Sequence, residues 1–104
     1  MSEERSDEIQ MILYDVKNTL SDISEALSFL VKKEYSSMIL ALEKHIQLGG
    51  CGDKIYFFVE NEKILVIDMK EKTVKIADSS TILKAIIKVI DKVICDIDEV
   101  LEKL

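Results

Sequence analysis

Apolar residues recur at Ile9, Leu13, Val16, Leu20, Ile23 and Leu27, in alternating steps of four and three that make a heptad seam on a helix. After Leu27 the seam shifts to Val31, Tyr35, Met38 and Leu42, as an inserted step of four does when it locally unwinds a coiled coil. No Pro or Gly interrupts residues 7–48, and Ser6 or Asp7 is the expected N-cap. This segment reads as one helix or as two. One helix of about 40 residues would be roughly 60 Å long, too long for a compact monomer of this size. A break near Lys32–Ser37 gives two, and Met11, Phe29 and Leu40, lying off the stripe, favour a break or a second buried surface. Leu48, Gly49 and Gly50 then look like a glycine C-cap.

From Lys54 the period changes. Ile55–Val59 and Ile64–Ile67 are unbroken apolar runs rich in β-branched and aromatic residues, too short for helices. The pattern predicts a three-stranded antiparallel meander, Lys54–Glu60, Lys63–Met69 and Thr73–Ala77, with turns at Asn61–Glu62 and Lys70–Lys72. The first two strands do not alternate, so both of their faces ask for cover. The third alternates, and its Lys75 suits an edge strand.

Asp78, Ser79 and Ser80 supply N-caps for a last helix. Leu83, Ile86, Ile90, Val93, Ile97, Val100 and Leu104 come after them in steps of three and four. Ile82, Ile87, Val89, Ile94 and Leu101 widen the stripe to almost half the circumference, more than a coiled-coil seam requires. This helix is expected to cover the sheet and also to meet another helix.

Composition adds limits. A chain of 104 residues is one domain on size, read here as residues 7–104 behind a disordered tail, Met1–Ser6. Hydrophobic residues make up 48% and charged residues 33%, with an Ile, Lys and Glu content like that of heat-adapted proteins. The net charge of −6 disfavours nucleic-acid binding through a general basic surface. The polar, acidic start carries no secretory leader, and no apolar run reaches the roughly 18 residues of a membrane span. The chain is expected in the cytoplasm, with no membrane partner.

Candidate chemistry is sparse. Cys51 and Cys95 are far apart and, with a single histidine, make no zinc site; both are expected as free thiols. Gly49-Gly50-Cys51-Gly52-Asp53-Lys54 comes after a helix and opens a strand, the reverse of a phosphate-cradling loop. His45 falls on the stripe of Met38 and Leu42 without a sequence-level partner. No catalytic, metal or cofactor-binding residue is assigned, and no enzymatic activity is expected.

One stretch, Thr19-Leu20-Ser21-Asp22-Ile23-Ser24-Glu25-Ala26-Leu27, resembles the opening of the second helix in winged helix-turn-helix regulators. The resemblance implies a recognition helix at Ser36–Leu48, a hairpin wing, dimerisation through the C-terminal helix, and DNA contacts from Lys32, Lys33, Lys44, His45 and Lys54. That segment has no Arg, Asn or Gln near its start, where base edges are read.

The sequence therefore predicts an α+β fold: an N-terminal helical segment, a three-stranded meander and a long C-terminal amphipathic helix. Non-alternating strands and a half-circumference stripe both ask for more cover than one copy supplies. The expected assembly is a homodimer, with Leu83, Ile86, Ile90, Val93, Ile97, Val100 and Leu104 at its interface. The expected function is a self-associating protein-interaction module without enzymatic activity, whose acidic surface is expected to engage a protein partner, with a winged-helix DNA-binding regulator as the alternative.

Overall fold

The computed structural model describes residues 3–104. Its elements are helix α1 (Glu3–Val31), helix α2 (Tyr35–Ala41), a 3₁₀ turn (Glu43–His45), strands β1 (Ile46–Cys51), β2 (Lys54–Val59), β3 (Glu62–Asp68) and β4 (Thr73–Ile76), and helix α3 (Ser79–Lys103). The class is α+β, but the antiparallel sheet has four strands in the order β1-β2-β3-β4, not three. Helix α1 already begins at Glu3, so the expected tail is helical from there and Ser6 and Asp7 are not its cap; Met1 and Ser2 lie outside the described residues.

The chain does break in the predicted window. Lys33 adopts a positive φ of 59°. The Glu34 amide donates to the Phe29 carbonyl at 2.9 Å and the Lys33 amide to that of Leu30 at 3.0 Å. This pairing is a Schellman stop, built here without glycine. The second helix has only two turns, because α2 ends at Ala41 and Ile46 already starts a strand. The glycine C-cap expected at Leu48–Gly50 is thus part of β1. Leu48 pairs with Phe57 and Gly49 with Tyr56.

The strand ends shift by a residue from the predicted ones. The β2–β3 turn is Glu60–Asn61, with positive φ values of 49° and 67°, the signature of a type I′ hairpin. Gly52 opens the β1–β2 turn at φ +62°, a conformation glycine adopts without strain. Beyond β3, the Asp68 carboxylate accepts the Lys70 and Glu71 amides at 3.1 and 3.0 Å and folds residues 69–72 back towards β4.

Helices cover one face of the sheet. Ile23 and Ala26 of α1, Met38 of α2, Leu42, Val59, Ile64, and Ile82, Ala85, Ile86 and Val89 of α3 form the main buried cluster. Pairing slips by one residue between Phe57 and Phe58, leaving Ile64 as a bulge. That is how Ile64 and Leu65, neighbours in sequence, both serve the helix side. Helix α3 starts on a true cap: Asp78 Oδ1 accepts the Thr81 amide at 2.8 Å. At the β2–β3 turn Glu62 meets Lys88 at 3.0 Å and Lys84 at 3.4 Å, and Glu60 meets Lys92 at 2.9 Å. These pairs tie the hairpin to α3.

The molecule measures 58 × 30 × 18 Å, because α1 and α3 run on past the sheet as an antiparallel pair. Lys103 closes the far end of this stalk on Glu8 at 2.7 Å. Ile9, Val16, Val93 and Val100 fill the seam between the two helices.

Candidate functional site

Helix α3 carries two parallel apolar seams, one residue apart. The inner one runs Ile82, Ile86, Val89, Val93 and Val100 and is buried against the rest of the chain. The outer one runs Leu83, Ile87, Ile90, Ile94, Ile97, Leu101 and Leu104, in steps of four and three without a fault. Exposure separates them: Ile86, Val93 and Val100 are 1%, 3% and 6% exposed, whereas Ile94 is 50% and Leu101 62%.

The residues expected at a dimer interface divide between the two seams. Ile86, Val93 and Val100 are buried inside the protomer, where they face α1. Leu83, Ile90, Ile97 and Leu104 lie on the outer seam. Ile87, Ile94 and Leu101, which in the sequence only widen the stripe, complete it.

Helix α1 extends the same surface. At 100° per residue Leu13 and Leu20 sit some 40–60° to one side of Val16, and both are exposed. In an antiparallel pair the same-handed flanks of the two helices lie together, as Glu8 and Lys103 do on the opposite flank. Leu13 and Leu20 therefore border the outer seam of α3. Lys84, Lys88 and Lys92, which reach the sheet, point to the other side of α3. The stalk thus has one face towards the sheet and α2, and one bare apolar face.

The remaining candidates resolve into structural parts. His45 Nε2 lies 3.1 Å from Asp22 Oδ2, both side chains about one-fifth exposed. The Nε2–H tautomer donates to the carboxylate and pins the 3₁₀ turn to α1. No pattern of spacing links these two residues, which are far apart in the chain. Beside them Asp22, Glu25, Phe29, Ser37, Leu40 and Lys44 line an open cleft. Cys51 and Cys95 are free and exposed. Among the described residues no three His, Cys, Asp or Glu side chains are placed to hold a metal ion, and no helix is long and apolar enough to cross a membrane.

The winged-helix residues do not assemble. Thr19–Leu27 lies in the middle of α1 rather than opening a helix. The segment expected as the recognition helix is two turns of α2, a 3₁₀ turn and the start of β1. Lys32 and Lys33 are exposed at the α1–α2 break and Lys44 in the 3₁₀ turn, while His45 is engaged by Asp22. Lys54 pairs with Cys51 at the far end of β2, some five residues or about 17 Å along the strand from Val59.

The outer face of the sheet is one of the two faces for which the non-alternating strands ask cover, but the sequence does not say which residues share it. Register puts Tyr56 and Phe58 of β2 there together, with Val66 opposite Tyr56 and Lys63 opposite Phe58. The period of two within Ile55–Val59 carries that information, masked by the apolar residues on the other parity. No family model matches the chain, and no curated protein or solved structure matches it.

Proposed function

We propose that the protein is a non-enzymatic assembly module that pairs with a second copy of itself through the bare face of α1 and α3. The observation that carries this reading is the unbroken outer heptad of α3, exposed at every position but the half-buried Ile90 and continued by Leu13 and Leu20 of α1. A repeat of 3.5 residues matches another helix, not a flat surface. Face to face, two such hairpins make a four-helix arrangement about a two-fold axis, each copy presenting the same patch.

The area is of the right size. The 25 residues of α3 extend about 37 Å, and two helices side by side span about 20 Å. Each copy would then bury about 700 Å², close to the roughly 800 Å² per partner of a stable complex. Around the patch Lys17 lies on the outer rim of α1 and Asp91 and Asp98 on that of α3. Opposite signs on the two rims suit α1 of one copy against α3 of the other.

Light scattering on a sizing column tests this. The expected mass is about 24 kDa, twice the 11.9 kDa chain. Ile94→Asp should give a folded monomer, since its site is solvated in the protomer. Ile86→Asp should unfold the chain, because it buries an unpaired charge. A wild-type monomer at high concentration would refute self-association, and so would an Ile94→Asp variant that stays dimeric.

A further inference from the structure

We infer that the outer face of the sheet is a platform for single-stranded nucleic acid. Tyr56 and Phe58 project from the same face of β2, their ring centroids 6.1 Å apart and their planes tilted by 54°. They sit on an inner strand of the sheet, between β1 and β3, with no helix above them. Gly49 of β1 makes room for them: a Cβ there would stand 2.9 Å from Phe58 Cε2. A larger residue would push the ring away.

Charge selects the partner. The chain as a whole carries −6, yet the charged residues that register places on this face are Lys54, Lys63, Lys75 and one acid, Asp68. Asp68 already accepts two backbone amides. Among the described residues no ion pair engages Lys54, Lys63 or Lys75. Lys63 Nζ instead rests 4.3 Å from the centre of the Tyr56 ring, a cation–π contact that a stacking base would have to displace and that shows this face of the ring accepts a cation or planar group. Aromatic rings flanked by ammonium groups that no carboxylate neutralises match a ligand that alternates planar bases with phosphates.

An unpaired strand fits and a duplex does not. Bases stack on side-chain rings only when they are splayed out of a helix, and nothing projects from this face to enter a groove. The platform lies on the opposite side of the molecule from the bare helical face, so it does not depend on self-association and would remain open in a dimer.

Fluorescence anisotropy of labelled mixed-sequence oligonucleotides, DNA and RNA, about 12 nucleotides long, tests the inference at low salt. Saturable binding is expected, with log affinity falling against log salt at a slope of about −2 for three lysine–phosphate contacts. Phe58→Leu, which keeps an apolar side chain but removes the stacking face, should weaken binding about 5- to 100-fold. Lys63→Glu and Lys75→Glu, on exposed positions, should each flatten the salt slope while the circular dichroism spectrum stays unchanged. The inference is overturned if the oligonucleotides do not bind. It is equally overturned if duplex DNA or phosphatidylglycerol vesicles bind as well as the single strands, or if none of the three variants alters binding.

Discussion

Two carboxylates, Asp78 and Glu62, are held in their charged forms by contacts that the fold supplies. Asp78 has its pKa lowered from an ordinary 3.8, first because its carboxylate accepts the Thr81 backbone amide. Glu62 is lowered from 4.5, first by its hydrogen bond from Lys88, which outweighs an opposing effect of desolvation, with the charges of Lys84 and Lys88 adding to it. A carboxylate whose pKa is lower in the folded state than in the unfolded one binds its proton more readily when unfolded. Its contribution is present in full above the unfolded value and is lost as pH falls through the folded one. Stability should therefore hold near neutrality and decline below about pH 5. Asp78→Ala and Glu62→Gln should each lower the melting temperature at pH 7, and the gap from wild type should close by pH 2. A gap that persists in acid would mean that packing, not charge, sets these positions. Asp78 is legible as a cap because it precedes a periodic run. The stop at Lys33 is not, since a lysine in left-handed conformation has no sequence signature and only the paired amides of Lys33 and Glu34 reveal it. For the same reason the β2–β3 turn lies one residue earlier than its sequence suggests: Glu60 shares the positive φ that Asn61 alone advertises.

Among the elements, β1 is what the sequence conceals. Ile46–Cys51 contains two glycines, which argue against a strand and imitate a helix end, and nothing in its own pattern compensates. The reason lies across the sheet. Gly49 is small because the Phe58 ring lies over it, a contact visible only once β1 and β2 are paired. Gly49→Ala should therefore destabilise the fold by about 1 kcal/mol, at the low end of overpacking costs because the ring edge can swing outward. Chemical denaturation would measure it, and an unchanged midpoint would show that Phe58 does not rest on this glycine. Helix α3 has the extent that its period predicts, but its stripe is two seams and not one. The residues chosen in steps of three and four, Leu83, Ile86, Ile90, Val93, Ile97, Val100 and Leu104, alternate between the inner and outer seams. Periodicity shows that a stripe is wide. It takes the position of α1 to show that the width is one buried seam and one exposed seam.

At the scale of the molecule, burial is unevenly distributed along the stalk. Near the sheet α1 and α3 are held by α2, Leu42, Val59 and Ile64 in the main cluster. Towards the far end they are joined by the seam of Ile9, Val16, Val93 and Val100 and the Glu8–Lys103 ion pair, and a pair of helices alone protects its backbone poorly. Amide hydrogen exchange should reflect this. In the Ile94→Asp variant the amides of residues 94–101 should exchange through local opening, well before those of residues 82–89, which should exchange only with global unfolding. If the proposed pairing through the outer seam occurs, the same distal amides in the wild-type chain should slow as concentration rises, by mass action. The amides near the sheet should not respond. Uniform slowing along the whole of α3 would instead indicate that association and global folding are one event, and that the helical hairpin has no stable existence apart from its partner.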